Sequence, residues 1–118
     1  MTSKKEIFRL LDNNTLVDSY QVLEFRENPH GFFIKLKVEF FDQSILFSKD
    51  FFSKNKHKYS FHWQDKNNEL LIRWDNAQFH KNIKTFPHHK HIGKNILPSL
   101  EIGLSDVLNY IFEIIEKE

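Results

Sequence analysis

Residues 32–40 read FFIKLKVEF, and this stretch decides the fold. Apolar side chains fill every even position from Phe32 to Phe40, while Lys35, Lys37 and Glu39 lie at odd positions. Successive side chains of a β-strand point to opposite faces of its sheet. The period of two therefore predicts a half-buried strand, with one face in a core and the other in solvent.

Further strand candidates lie on both sides of this stretch and are separated from it by turn-forming residues. Residues 28–31 read NPHG, residues 42–44 read DQS and residues 65–68 read DKNN, which are typical of turns and hairpin loops. The segments between these turns are rich in aromatic and β-branched residues. The sequence therefore predicts an antiparallel meander of about five strands, in residues 15–26, 32–41, 45–52, 58–64 and 69–74.

Helices are expected at both ends of the chain. Ser3 and Glu6 have the spacing of a capping box ahead of a short apolar pattern that ends near residue 11. Ser105 and Asp106 precede a second helix with one apolar face, formed by Val107, Leu108, Ile111, Ile114 and Ile115. The sequence thus predicts an α+β fold in which a short N-terminal helix and a C-terminal amphipathic helix accompany the sheet. Residues 76–104 follow neither period and are assigned to a long loop.

Length and composition limit the class of protein. The chain has 118 residues, 40% of them hydrophobic and 28% charged, which predicts one soluble globular domain over residues 1–118. No apolar stretch approaches the roughly 20 residues that span a bilayer, so no membrane association is expected. The absence of cysteine excludes disulfides, cysteine metal sites and thiol nucleophiles, and is typical of a cytoplasmic protein.

Charge is distributed unevenly along the chain. Residues 76–100 contain four lysines and four histidines but no acid, although the whole chain has 16 Asp and Glu. Residues 101–118 contain one lysine and five acids. A segment without acids is where a polyanion would bind with least electrostatic repulsion, so residues 76–100 predict a phosphate-binding surface. The alternative is a solvated, lysine-rich loop.

Four stretches of sequence together resemble a known family. They are residues 59–65 (YSFHWQD), 73–77 (RWDNA), 84–93 (KTFPHHKHIG) and 97–108. These stretches resemble the TumE family of bacterial toxin–antitoxin proteins. Members commonly have Ala-Pro-His-His where this chain has Ala77-Gln78-Phe79-His80, so Phe79 replaces one histidine. The resemblance implies a small cytoplasmic toxin, paired with a cognate DNA-binding antitoxin and acting on RNA.

The histidines suggest general acid–base chemistry. RNA cleavage without a metal needs a base for the 2′-hydroxyl, an acid for the 5′-oxygen and cations around the phosphorane. The pKa of histidine lies near neutral pH, so its side chain suits both proton-transfer roles. Asp75 could orient an imidazole or accept the proton itself. The candidate catalytic residues are Asp75, His80, His88, His89 and His91.

The substrate-binding candidates are cations and groups that can hydrogen-bond or stack. They are Tyr59, Arg73, Asn76, Lys84 and Lys90. Tyr59, Trp63 and Trp74 could stack on bases, although aromatic residues at strand spacing are more often part of a core. If residues 88–91 are extended, His89 and His91 share one side of the strand while His88 and Lys90 share the other.

Several functions are compatible with these residues. The leading hypothesis is a toxin that acts as a metal-independent endoribonuclease, with no cofactor or metal. One alternative is a non-catalytic module that binds nucleic acid or protein. The other is a metal-dependent hydrolase, since a His-x-His pair with a third histidine or Asp75 could bind zinc. A homo-oligomer is compatible with the sequence, which does not determine the oligomeric state.

Overall fold

The computed structural model describes residues 3–117 and contains one seven-stranded antiparallel sheet with a helix near each end of the chain. The order of the strands in the sheet follows their order in the sequence, so the sheet is a continuous meander. The predicted α+β class is confirmed. The elements are α1 (Lys4–Asp12), β1 (Val17–Asn28), β2 (Gly31–Phe40), β3 (Ile45–Ser53), β4 (Lys56–Gln64), β5 (Leu70–Asp75), β6 (His89–Ile92), β7 (Asn95–Pro98) and α2 (Leu104–Glu116).

The turns between strands have the backbone conformations that their residues favour. Asn68, in the turn between β4 and β5, has a positive φ of 66°, and the Asp65 side chain accepts hydrogen bonds from the backbone N–H groups of Asn67 and Glu69. At Gly31 a Cβ atom would lie 1.8 Å from the carbonyl oxygen of Phe52. Only glycine therefore permits the close approach of β2 and β3 at this end.

One face of the sheet forms the core. The even-numbered residues of β2 are buried there, together with aromatic side chains of β4 and β5 such as Phe61 and Trp74. Both helices contribute to the same cluster, with Ile7 and Leu11 from α1 and apolar residues of α2 that are at most 4% exposed. These α2 residues are Leu104, Val107, Leu108 and Ile111. None of the helices within residues 3–117 is both long enough and apolar enough to cross a membrane.

We call the opposite side of the sheet the open face. The register places the odd-numbered residues of β2 and β3 on it, beside Lys58, Ser60 and His62 of β4. It continues through Arg73 and Asp75 of β5 to His91 and His89 of β6. These side chains are half-buried or exposed, except for Asp75 and His89.

The structure differs from the sequence-based prediction mainly in residues 76–104. There the chain forms a second hairpin, β6 and β7, which turns at Gly93 with a φ of 58°. The sheet consequently has seven strands rather than about five. The two added strands have four residues each, and β6 pairs with β5 while β7 pairs with β6, so no long alternation marks them in the sequence. Helix α2 also begins at Leu104, where Asp106 accepts a hydrogen bond from the N–H of Gly103.

Candidate active site

Asp75 lies at the end of β5, at the centre of a group of donors. Its Oδ1 accepts a hydrogen bond from the backbone N–H of Ala77 (3.1 Å), which turns the chain away from the strand. Its Oδ2 accepts from Nε of Arg73 (3.1 Å), two residues earlier on the same face. The Asp75 side chain is only 8% exposed. A carboxylate surrounded by donors in this way suits the orientation of other groups rather than direct contact with a substrate.

The register of β6 brings two histidines to this carboxylate. His89 is the cross-strand partner of Asp75, and His91 is the partner of Arg73. Nε2 of His89 lies 2.8 Å from Oδ1 of Asp75, and Nε2 of His91 lies 3.6 Å from Oδ2. Because side chains alternate along a strand, both imidazoles lie on the open face.

Acceptors lie at both ring nitrogens of His89. Its Nδ1 lies 2.9 Å from the carbonyl oxygen of Pro87, which can only accept, so Nδ1 is the donor. Its Nε2 faces the carboxylate of Asp75, which also accepts from Arg73 and Ala77. Both ring nitrogens of His89 thus face an acceptor, an arrangement that holds the ring in one orientation. His89 is 2% exposed, so it lies beneath the surface of the site.

His80 and His91 complete the cluster at its more accessible side. The centroid of the His80 ring lies 4.8 Å from that of His89 and 5.7 Å from that of His91. His80 comes from the segment between β5 and β6, which folds back toward the open face. Burial lowers the pKa of His91, and the charges of His89, His80 and Arg73 lower it further while Asp75 opposes them. His91 is therefore disposed to be neutral and able to accept a proton.

The three histidines also have an arrangement that could hold a metal ion. One ring nitrogen from each of His80, His89 and His91 lies within 4.8 Å of the others. A zinc ion needs nitrogen ligands at about 2.0–2.1 Å. Both ring nitrogens of His89 already have partners, so a metal bound by all three rings would have to replace Asp75 or Pro87. The three histidines can therefore bind a metal together only if His89 gives up one of these two partners.

His88 lies apart from this cluster. It is on the opposite side of the chain from His89, and its Nδ1 lies 2.8 Å from the hydroxyl of Tyr59, whose ring it stacks against. Burial raises the pKa of Tyr59 to about 12, with smaller contributions from the charges of Glu101 and Asp75 against a lowering hydrogen bond to the backbone of Ile102. The tyrosine therefore keeps its proton and can donate to His88. At 4% exposure, Tyr59 offers no open ring face to a base.

The remaining substrate-binding candidates are dispersed. The Asn76 side chain links strand ends: its Oδ1 accepts from the N–H of Tyr59 (3.0 Å) and its Nδ2 donates to the carbonyl of His57 (2.8 Å). Lys90 is the cross-strand partner of Trp74, so it lies on the face opposite His89 and His91. Lys84 is exposed in the segment between β5 and β6. Of the five candidates, Arg73 contacts the carboxylate at the site.

The structure also brings forward residues that the sequence analysis did not single out as candidates. Phe47, Lys49 and Phe51 occupy the open face of β3, and the cross-strand rows of Phe47 and Lys49 lead to His91 and His89. Trp63 and Trp74, considered for base stacking, are instead 3% and 5% exposed in the core. Residues 45–53 mix apolar and polar types at both odd and even positions, so their outward face is identified only once the register of the neighbouring strands is known.

Comparisons with known proteins agree with the resemblance in the sequence. A family model described as "Toxin TumE" matches residues 7–118, which is nearly the whole chain. Neither a curated protein nor a solved structure gave a significant match. The family match extends beyond the four resembling stretches and includes most of the N-terminal helix and the first strands. On this basis, the chain belongs to the TumE family of toxins.

Proposed function

We propose that this TumE-family toxin is neutralised by a cognate DNA-binding antitoxin and cleaves RNA by acid–base catalysis without a metal. The observation that carries the proposal is the placement of His80 and His91 beside the buried Asp75–His89 pair. Two imidazoles whose ring centroids are 5.7 Å apart can reach the same phosphodiester group. Buried charges with defined partners are expected where chemistry needs preorganised electrostatics.

In the proposed reaction His91 is the base and His80 is the acid. His91 takes the proton of a ribose 2′-hydroxyl, and the 2′-oxygen forms a bond with the adjacent phosphorus. His80 gives a proton to the 5′-oxygen as the bond between that oxygen and phosphorus breaks. The products are a 2′,3′-cyclic phosphate and a free 5′-hydroxyl. A second proton transfer, in the reverse direction, restores both histidines when water opens the cyclic phosphate.

The other members of the cluster have supporting roles in this proposal. Arg73, whose side chain is 38% exposed, places positive charge near the phosphorane, and His89 lies behind it against Asp75. Asp75 holds Arg73 and His89 and lies 3.6 Å from His91, so it acts as a positioning residue. His88 is assigned a structural role because Tyr59 binds it on the other side of the chain.

Both alternatives are compatible with the geometry. A non-catalytic binding module would use the same cations without proton transfer. A metal-dependent hydrolase would use His80, His89 and His91 as ligands, since their nitrogens lie within 4.8 Å of one another. Both differ from the acid–base proposal in their response to chelation and to loss of a single imidazole.

The test is cleavage of RNA by the purified protein in excess chelator, with analysis of the product ends. The proposal predicts full activity and 2′,3′-cyclic phosphate ends. His80→Ala and His91→Ala should each lower the rate by about 10²–10⁴-fold while RNA affinity stays within a few-fold. His30→Ala, at an exposed turn, is the matched control. Loss of activity in chelator that one divalent ion restores would favour the metal mechanism, and RNA binding without cleavage would favour the binding module.

We propose further that the antitoxin covers the acid-free segment 76–100, because masking the site is the simplest way to neutralise it. Lys81, Lys84 and Lys94 of this segment are exposed and could pair with acidic side chains of a partner. Replacing the three lysines with glutamate should weaken capture of the toxin by its antitoxin. The same change at Lys54, Lys66 and Lys117, which are also exposed, should leave capture intact.

A further inference from the structure

We infer that the open face of the sheet binds single-stranded RNA and leads it to the histidine cluster. The argument begins with the register of the strands, which places a line of cross-strand neighbours across the sheet. Lys35 pairs with Lys49, Lys49 with Ser60, Ser60 with Asp75, and Asp75 with His89. This inference rests on the proposed function for the identity of the cluster at its end.

The distance along this line suits a short stretch of nucleic acid. Neighbouring strands lie about 4.7–4.9 Å apart, so Lys49 lies about 10 Å from Asp75. A parallel line runs from Lys37 through Phe47, His62 and Arg73 to His91. Both lines end in the cluster that the proposed reaction uses. A chain of a few nucleotides lying on them would therefore have one phosphate at His80 and His91.

The charge of the open face fits a polyanion. Lys35 and Lys49 are directly opposite each other on neighbouring strands, an arrangement that destabilises a sheet unless an anion compensates it. Glu24, the other cross-strand neighbour of Lys35, forms an ion pair with Arg26 at 2.9 Å. Lys49 and Lys58 are exposed and have no ion pair within residues 3–117. A phosphate between Lys35 and Lys49 would relieve the repulsion between these two side chains.

Aromatic rings lie between the lysines. Phe51 is 38% exposed and pairs with Phe33 on one side and Lys58 on the other. The guanidinium of Arg26 lies 4.8 Å from the centroid of Phe33 and so already uses one face of that ring. Together with Lys49, Lys58 and Ser60 they line a groove of about 420 Å³. We call Phe47, Lys49, Phe51 and Lys58 the sheet track.

The mixture of rings and cations favours a single-stranded nucleic acid over a duplex or an acidic protein segment, and the proposed cleavage reaction makes that strand RNA. An acidic protein segment would need the lysines but not the rings. In duplex RNA the bases are stacked on one another, whereas a single strand can place unpaired bases on aromatic faces. Base stacking and phosphate pairing on a half-exposed sheet would use every member of the sheet track.

The binding experiment uses the full-length protein and a short, fluorescein-labelled 2′-O-methyl RNA, which has no 2′-hydroxyl to react. Phe47→Ala and Phe51→Ala should each weaken binding about five-fold or more. Phe51→Trp, which keeps a ring, should retain affinity. Lys49→Ala and Lys58→Ala should each reduce the slope of log K against log salt by about 0.7. Phe41→Ala and Lys117→Ala, exposed outside the sheet track, are the matched controls.

Unchanged binding in both Phe51→Ala and Lys49→Ala, with thermal midpoints near that of the wild type, overturns the inference. So does equal affinity for a duplex of the same sequence. If the same variants lose antitoxin capture while they keep RNA affinity, the face is a protein interface and the inference is again wrong.

Catalysis and binding can fail separately. If the wild-type protein does not cleave RNA but the sheet-track variants bind RNA more weakly than it does, the proposed reaction is refuted and the sheet track is supported. Cleavage by those variants with unchanged kcat/KM would support the reaction and refute the track.

Discussion

Oδ1 of Asp75 lies 2.8 Å from Nε2 of His89, and the two side chains are 8% and 2% exposed. This contact joins the ends of β5 and β6, which are separated in the sequence by 13 residues without a strand. It holds the hairpin that carries His91 against the rest of the sheet. The arrangement of the candidate site and the stability of this part of the fold therefore depend on the same pair.

Asp75→Asn should reduce both stability and activity. The substitution keeps the size of the side chain but removes the carboxylate charge that faces His89 and Arg73 in a buried position. Breaking a buried pair in this way costs about 3–5 kcal/mol in the free energy of unfolding. Urea denaturation measures the loss, and Asp18→Asn, on the exposed side of β1, is the matched control. Wild-type stability in Asp75→Asn would show that the pair does not hold β6.

The pH profile should identify His91 as the base. Because burial and the neighbouring cations lower the pKa of His91, its neutral form persists below pH 6.5. We expect kcat/KM for RNA cleavage to rise with pH along a limb centred below that value, and His91→Ala to remove the limb. An identical acidic limb in wild type and His91→Ala would assign the base to another group.

His88 and Tyr59 should affect stability rather than catalysis. Tyr59→Phe removes the hydroxyl that lies 2.8 Å from Nδ1 of His88, at a cost of about 0.5–1.5 kcal/mol in the free energy of unfolding. The pH profile of cleavage should stay unchanged in Tyr59→Phe and His88→Ala. A shifted profile in either variant, measured under the same conditions as for His91→Ala, would place His88 in the reaction.

Asp50 should make the stability of the protein decrease as pH rises above the ordinary range of a carboxyl group. Burial raises its pKa, although the hydrogen bond from His57 at 2.7 Å and the charge of His57 oppose this. The folded state therefore binds this proton more tightly than the unfolded state. The stabilisation that comes from this bound proton is present below about pH 4 and is lost as pH rises through the pKa of Asp50 in the folded state.

Asp50→Asn tests this sign, since it removes the titration and keeps an acceptor for His57. Relative to wild type, the free energy of unfolding of the variant should increase between about pH 4 and pH 7. Asp18→Asn serves again as the exposed control. A difference between variant and wild type that does not change with pH would contradict the burial effect.

The C-terminal helix should be required for the core. Ile111 is 0% exposed, and its truncation in Ile111→Ala should lower the free energy of unfolding by about 2–5 kcal/mol. Asn109→Ala, exposed on the same helix, should change it by less than about 0.5 kcal/mol. Thermal or urea unfolding followed by circular dichroism gives both values. Equal stability of the two variants would mean that α2 does not dock on the sheet.

Much of the fold could be predicted because local pattern and burial coincide. The alternation in residues 32–40 appears as β2, with alternate residues buried. The predicted cap is present too, since Ser3 accepts a hydrogen bond from the N–H of Glu6. The second hairpin could not be predicted, because its short strands are held by the pairing of β6 with β5 and by the contact of His89 with Asp75 rather than by a pattern of their own.

The sequence by itself determined the α+β class, the absence of cysteine chemistry, the acid-free segment and the set of histidines from which a site could be built. It also placed His89 and His91 on one side of a strand and His88 and Lys90 on the other, because the alternation of side chains along a strand is a local property. Only the tertiary structure decided that Asp75 meets His89 and that Tyr59 belongs to the core. Those contacts depend on register between strands distant in the chain, and register is set by the packing of the whole sheet.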